Sequence, residues 1–162
     1  MKTVWVVVAD EAIARVLEFD QARHKLNSVE EITDPTAHAK GVDLRNDSYG
    51  RRAGSATHSA SPNNAHRLRS SSNVTSSAGE GEQHVEAQQF AARVALRLKQ
   101  ALQEKRFDEL QVCAAPRFLG LLRKAFDKPL ETVVTSSTDK DLVHLTNDDI
   151  AAHLFPAKRQ DD

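Results

Sequence analysis

Val4 to Ala9 is an unbroken apolar run rich in β-branched residues, the pattern of a strand covered on both faces. Asp10-Glu11-Ala12 can turn the chain, and Ile13 to Phe19 reads as a second strand interrupted by Arg15 and Glu18. Asp20-Gln21-Ala22-Arg23 is another polar break. Leu26 to Ile32 then gives a weaker third strand, whose polar content suits a sheet edge. Three strands joined by short turns predict an antiparallel meander.

The second half of the chain changes period. From His84 to Arg106, Ala87, Phe90, Ala91, Val94, Leu98, Ala101 and Leu102 fall at helical spacing and make one apolar stripe, while Arg93, Arg97, Lys99 and Lys105 populate the other faces. A charged outer face is what any solvated helix shows. Arg106 falls at the helix end, where a cation suits the dipole. Leu110 to Ala114 is a short apolar strand, and Pro116 suits the first turn of a helix whose apolar face is Phe118, Leu121, Leu122, Ala125 and Phe126. Gly120 within it predicts a close packing approach. Lys128-Pro129 ends that helix, Leu130 to Thr135 reads as a further strand, and Ser136 to Asp141 as a polar turn. Thr146 with Asp149 three residues on is close to a capping box for a last short helix, which Pro156 stops.

Between these halves, Asp34 to Glu82 has no usable period. It holds five of the six glycines and nine serines with few aliphatic residues. That is too long for an ordinary connection. The expected architecture is therefore an α/β domain over residues 1–156 with a mixed β-sheet, an antiparallel N-terminal meander plus a parallel βαβα half. Its helices pack on the sheet, right-handed crossovers set the parallel strands, residues 36–82 form a long flexible basic Ser/Gly/Arg loop, and 157–162 is a frayed tail.

Composition narrows the class. A chain of 162 residues with 40% hydrophobic and 28% charged residues is a soluble globular protein of one domain. The formal charge of −1 excludes a globally basic nucleic-acid binder but hides an uneven distribution. Residues 10–34 carry seven acids against three bases, whereas Arg45, Arg51, Arg52, Arg67 and Arg69 face the single acid Asp47 across 45–69. Tyr49, the one tyrosine, lies beside Gly50-Arg51-Arg52. Arginines, glycines and a stacking ring are the chemistry of an RNA phosphate-backbone contact that orders on binding. The other reading is a solvated insertion with incidental charge. The single Cys113 lies in an apolar run, as a buried thiol does, and favours a reducing compartment. The opening apolar run is shorter than a secretory signal or membrane span needs, so a cytoplasmic protein is expected.

Candidate chemistry is sparse. In sheets of this kind ligands gather at the carboxyl ends of the parallel strands, which should bring Arg117, at a helix start, toward Asp139, Lys140 and Asp141. Arg117 and Lys140 could hold an anion, or the two bases and two acids could simply pair and pin two loops. His24, His38, His58, His66, His84, His144 and His153 show no zinc-type spacing, so no metal site is expected, nor any cofactor. His84-Val85-Glu86 suits an ordinary helix start. No nucleophile elbow, phosphate-binding loop or dinucleotide fingerprint is present, and an enzyme is the weaker reading.

The opening strand into Ala9-Asp10, Ala14-Arg15, the glycine- and arginine-containing segment and Phe90-Ala91 form one set of signals. Ala114-Ala115-Pro116-Arg117-Phe118-Leu119-Gly120-Leu121-Leu122-Arg123 and Asp139-Lys140-Asp141-Leu142 with His144-Leu145 are the more specific ones. Together they resemble the bacterial host attachment family, described as required for attachment to host cells, over most of the chain. That family in turn resembles the middle domain of the archaeal and eukaryotic class-I peptide release factor and its ribosome-rescue paralogue, whose long loop reaches the peptidyl-transferase centre. The resemblance implies a release-factor-like module. This chain, however, has no Gly-Gly-Gln, the tripeptide whose glutamine positions the hydrolytic water there, so peptidyl-tRNA hydrolysis is not implied. The functional expectation is a non-catalytic module touching ribosome or ribosomal RNA through Arg45, Tyr49, Arg51, Arg52, Arg67 and Arg69. The alternatives are a protein or anionic small-ligand interaction domain at Arg117, Asp139, Lys140 and Asp141 that affects attachment indirectly, or a hydrolase of unknown type. The expected partner is the ribosome, its RNA or a protein, and not a membrane.

Overall fold

A computed structural model describes residues 1–35 and 74–156. Met1–Asp34 and Glu86–Asp162 make one compact unit, and Pro35–Val85 makes another. In chain order the elements are β1 (Val4–Ala9), β2 (Ile13–Asp20), β3 (Lys25–Thr33), α1 (Val74–Gln103), β4 (Glu109–Ala114), α2 (Pro116–Ala125), α3 (Lys128–Val133), β5 (Val134–Thr138) and α4 (Asn147–Leu154). The five strands lie in the order β3-β2-β1-β4-β5. β1 pairs antiparallel with β2 and parallel with β4, β2 pairs antiparallel with β3, and β4 pairs parallel with β5. This is the expected mixed α/β sheet, with β3 at an edge.

The two-residue period of β1 explains how one strand serves two cores. Trp5, Val7 and Ala9 point to one face of the sheet, with Ala14 and Val16 of β2 and Leu110, Val112 and Ala114 of β4. Helices cover that face: Phe90, Ala91, Val94 and Leu98 of α1 and Phe118, Leu121 and Leu122 of α2 are buried there with Leu130 of α3. Val6, Val8, Leu17, Leu26 and Cys113 point the other way and are covered by Leu142, Val143, Ile150 and Ala151 from the last connection and α4. β1 is thus buried along its whole length, as its unbroken apolar run requires.

Three elements depart from the sequence expectations. The helix expected from His84 begins at Val74 and ends at Gln103. Extending an existing helix needs no new nucleus, so residues of low propensity can join it, and 74–82 belong to α1 rather than to a loop. Residues 36–73, and with them most of the expected loop, lie outside the described residues, as does the tail 157–162. At the other end, Lys105 takes the left-handed conformation (φ 56°). The amides of Lys105 and Arg106 bond back to the carbonyls of Leu102 and Ala101, 3.0 Å each, which is a Schellman closure. Arg106 therefore lies past the helix, and its guanidinium sits 5.0 Å from the centroid of Trp5, which in turn stacks on Phe107.

The strand expected over Leu130–Thr135 is instead the short α3 followed by β5. Lys128-Pro129 reads as a helix stop, but proline is equally at home in a first turn: α2 has already ended at Ala125, and Asp127 caps α3 by accepting from the amide of Leu130 at 3.2 Å. Leu130 satisfies the core from the helix, so β5 starts only at Val134 and takes in Ser136–Thr138, which had read as turn. A methyl group added at Gly120 would meet nothing within 4 Å, so this glycine serves no close approach. The N-cap expected for α4 is present: Thr146 Oγ1 accepts from the amide of Asp149 at 3.2 Å and donates to its carboxylate at 2.7 Å, so the Asp149 side chain answers the Thr146 hydroxyl and not, as in a full capping box, its amide.

Candidate functional site

The carboxyl ends of the parallel strands β1, β4 and β5 open onto one edge of the sheet, where Asp10, Arg117 and the 139–146 connection follow directly. Asp10 makes the turn from β1 into β2. Its Oδ1 accepts from the amides of Ala12 and Ile13 at 2.8 Å each, and its own amide donates to the carbonyl of Ile13 at 2.9 Å. One carboxylate oxygen is thereby committed to the turn, and Oδ2 remains for the edge. His144 Nε2 lies 3.7 Å from it.

The connection carrying His144 is held from below. Arg15 of β2 points to the α4 face of the sheet and donates to the carbonyls of Val143 at 2.8 Å and Leu145 at 2.6 Å, the two residues flanking His144. Its second nitrogen donates to Asn147 Oδ1. Asn147 Nδ2 in turn donates to the carbonyl of Leu26 and to Ser28 Oγ. A charged donor aimed at three neutral acceptors from a strand fixes a segment that has no regular backbone ladder of its own. Asp141 Oδ1 accepts from the amide of Val143 at 3.4 Å.

Asp10, Asp141 and His144 converge so that one donor atom from each lies within 4.8 Å of the others. Asp10 is partly buried, whereas Asp141 and His144 are exposed. Among the described residues this is the group able to hold a metal ion. Sequence spacing missed it, because Asp10 and Asp141 stand at opposite ends of the chain and only the sheet order brings them together. The available signal was the position of both residues at the carboxyl ends of strands.

Arg117, Asp139, Lys140 and Asp141 do follow the ends of β4 and β5, as expected. Arg117 Nε, however, lies 3.9 Å from Glu11, and this is its ion pair among the described residues. Neither Asp139 nor Asp141 is its partner. Lys140 contributes its carbonyl, which accepts from Cys113 Sγ at 3.1 Å. Burial pushes the Cys113 thiol above its ordinary range, so it stays protonated and is a packing group with one polar contact. Asp10, Glu11, Asp139 and Asp141 outnumber Arg117 and Lys140 at this edge.

The cations of α1 are occupied within the compact unit. Arg93 meets the buried Asp34 at 3.0 Å, Arg97 meets Glu30 at 3.0 Å and Lys99 meets Asp127 at 2.9 Å. Each of these three cations thus faces an acid, Asp34 beside β3, Glu30 within it and Asp127 between α2 and α3. Arg45, Tyr49, Arg51, Arg52, Arg67 and Arg69 lie outside the described residues. No helix among the described residues is long and apolar enough to cross a membrane.

Fold and edge together define a mixed-sheet α/β protein with an acidic, histidine-bearing cluster where its parallel strands end. The chain belongs to the family described as protein required for attachment to host cells, whose model matches residues 5–154. That match runs from β1 to the last residue of α4. No curated protein matches the chain.

Proposed function

We propose that this host attachment family protein is a non-catalytic, release-factor-like module that binds ribosomal RNA through the basic segment 45–69. It would work in the cytoplasm, with its influence on attachment indirect. The observation that carries the reading is the charge of that segment, five arginines against Asp47, inserted between β3 and α1 of a unit whose helix cations already have acidic partners. Arginine contacts to phosphates release counterions, so such binding weakens steeply with salt. The absence of Gly-Gly-Gln supports binding without ester hydrolysis. The anionic-ligand reading at Arg117 and Lys140 is weaker, because acids outnumber bases at that edge and Arg117 faces Glu11.

Sedimentation through a sucrose cushion with purified ribosomes tests the proposal. Wild-type protein should travel with ribosomes at low salt and be released as salt rises. Arg51→Ala combined with Arg52→Ala should release at lower salt, with the salt slope reduced by about 2. Protein that stays in the supernatant at low salt would rule the reading out.

A further inference from the structure

We infer that Asp10, Asp141 and His144 form a binding site for a divalent first-row cation, Mn²⁺ or Zn²⁺, at the carboxyl edge of the parallel strands. The inference is independent of the basic segment and uses only residues of the compact unit.

The donor set is mixed, with two carboxylates and one imidazole. Carboxylates suit Mn²⁺ and imidazole suits Zn²⁺, and both ions accept the combination. The three donor atoms lie within 4.8 Å of one another. Ligands bound at about 2.1 Å sit about 3 Å apart when adjacent and about 4.2 Å when opposite on an octahedral ion. The cluster is thus slightly wider than a loaded site, and the exposed His144 and Asp141 side chains can close the difference by rotation.

Charge gives a second, separate reason. Asp10 and Asp141 bring two like charges together, and among the described residues neither has a lysine or arginine within ion-pair distance; the one basic group beside Asp10 is His144 itself. Four other carboxylates of the unit, Glu30, Asp34, Glu109 and Asp127, each do meet an arginine or lysine. A divalent cation neutralises the pair at the edge, and its remaining coordination positions face solvent.

Pre-organisation is the third. The Asp10 carboxylate is oriented by its turn amides, and the backbone on both sides of His144 is fixed by Arg15. Only side-chain rotation is left for the ion to order, which lowers the cost of binding.

Chelator-treated full-length protein is titrated with Mn²⁺ and with Zn²⁺ by calorimetry, and with Mn²⁺ by electron paramagnetic resonance. One ion per chain should bind. His144→Ala, Asp141→Asn and Asp10→Asn should each weaken binding by about tenfold or more, while thermal midpoints measured in chelator stay near the unsubstituted value. Asp10→Asn retains the oxygen that accepts from Ala12 and Ile13. Absence of saturable binding of either ion up to millimolar concentration overturns the proposal. So does undiminished binding in all three variants, which would assign the ion to other donors such as His38, His58 and His66.

Discussion

The two faces of the sheet are closed by different physics. On one, α1, α2 and α3 bury Phe90, Val94, Leu98, Phe118, Leu122 and Leu130 against Trp5, Val7 and Leu110. On the other, the cover is a connection and the eight-residue α4, with Leu142, Val143, Ile150 and Ala151 over Val6, Val8 and Leu17. The helical face has enough apolar area to hold itself. The thinner face adds a polar clamp, Arg15 and Asn147, to fix a connection with no ladder. The lesson is that the face bearing the candidate site is positioned by hydrogen bonds and the opposite face by packing.

The largest break is a cavity in the packed face. Phe118 is fully buried against Phe90, with ring centroids 5.7 Å apart. Phe118→Ala should cost about 3–5 kcal/mol of unfolding free energy in urea denaturation, with the whole unit melting together. A cost below about 1 kcal/mol would show that this face is less tightly packed than its burial implies.

The clamp comes next. Arg15→Ala removes the donors to Val143, Leu145 and Asn147 and should cost about 2 kcal/mol. The loss should be local. Amide hydrogen exchange should accelerate in 142–155 while α2 stays protected. Equal acceleration in both would mean that the thin face does not open independently, and the contrast between the faces would fail.

Much of this contrast could be read in the sequence, and the unread part has a physical pattern. β1 to β3, β4, α2 and α4 were legible because burial imposed a period: the apolar run of β1, the helical stripe over Phe118, Leu121 and Leu122, the Thr146 cap. α3 was not, because six residues are too few for a period to show and Val133-Val134 satisfies strand and helix alike. Pro129 is punctuation that can close one helix or open the next, and only the Asp127 cap decides. Of the edge, the positions of Arg117, Asp139, Lys140 and Asp141 followed from where strands end. The pairing of Arg117 with Glu11 did not, nor did the clamp beside them: Arg15 had read as a mere interruption in a strand, because a guanidinium at a sheet face is recognisable as a clamp only once the acceptors above it are placed. The meeting of Asp10 with His144 depends on β1 being central in the sheet, a long-range fact that no local spacing carries.

The smallest expected effect separates the faces by their response to acid. On the helical face the hydrogen bond from Lys99, 2.9 Å from Asp127, holds the Asp127 carboxyl below its usual range, with the Leu130 amide adding to it. A carboxyl whose folded-state pKa is depressed contributes stability that is present above the unfolded value and lost as pH falls through the folded one. Asp127→Asn keeps an oxygen for the Leu130 amide and removes the charge. The stability gap between wild type and Asp127→Asn should therefore be widest near neutral pH and close as pH falls below about 4, and added salt should narrow it as well. The Arg15 clamp has only neutral acceptors, two carbonyls and an amide, so the gap between wild type and Arg15→Ala should stay level over the same range. Denaturation curves of the three proteins across that range check both halves at once. A wild-type to Arg15→Ala gap that closes in acid would mean that carboxylates, not carbonyls, hold the thin face, and the division between a packed face and a clamped one would have to be redrawn around Asp10 and Asp141.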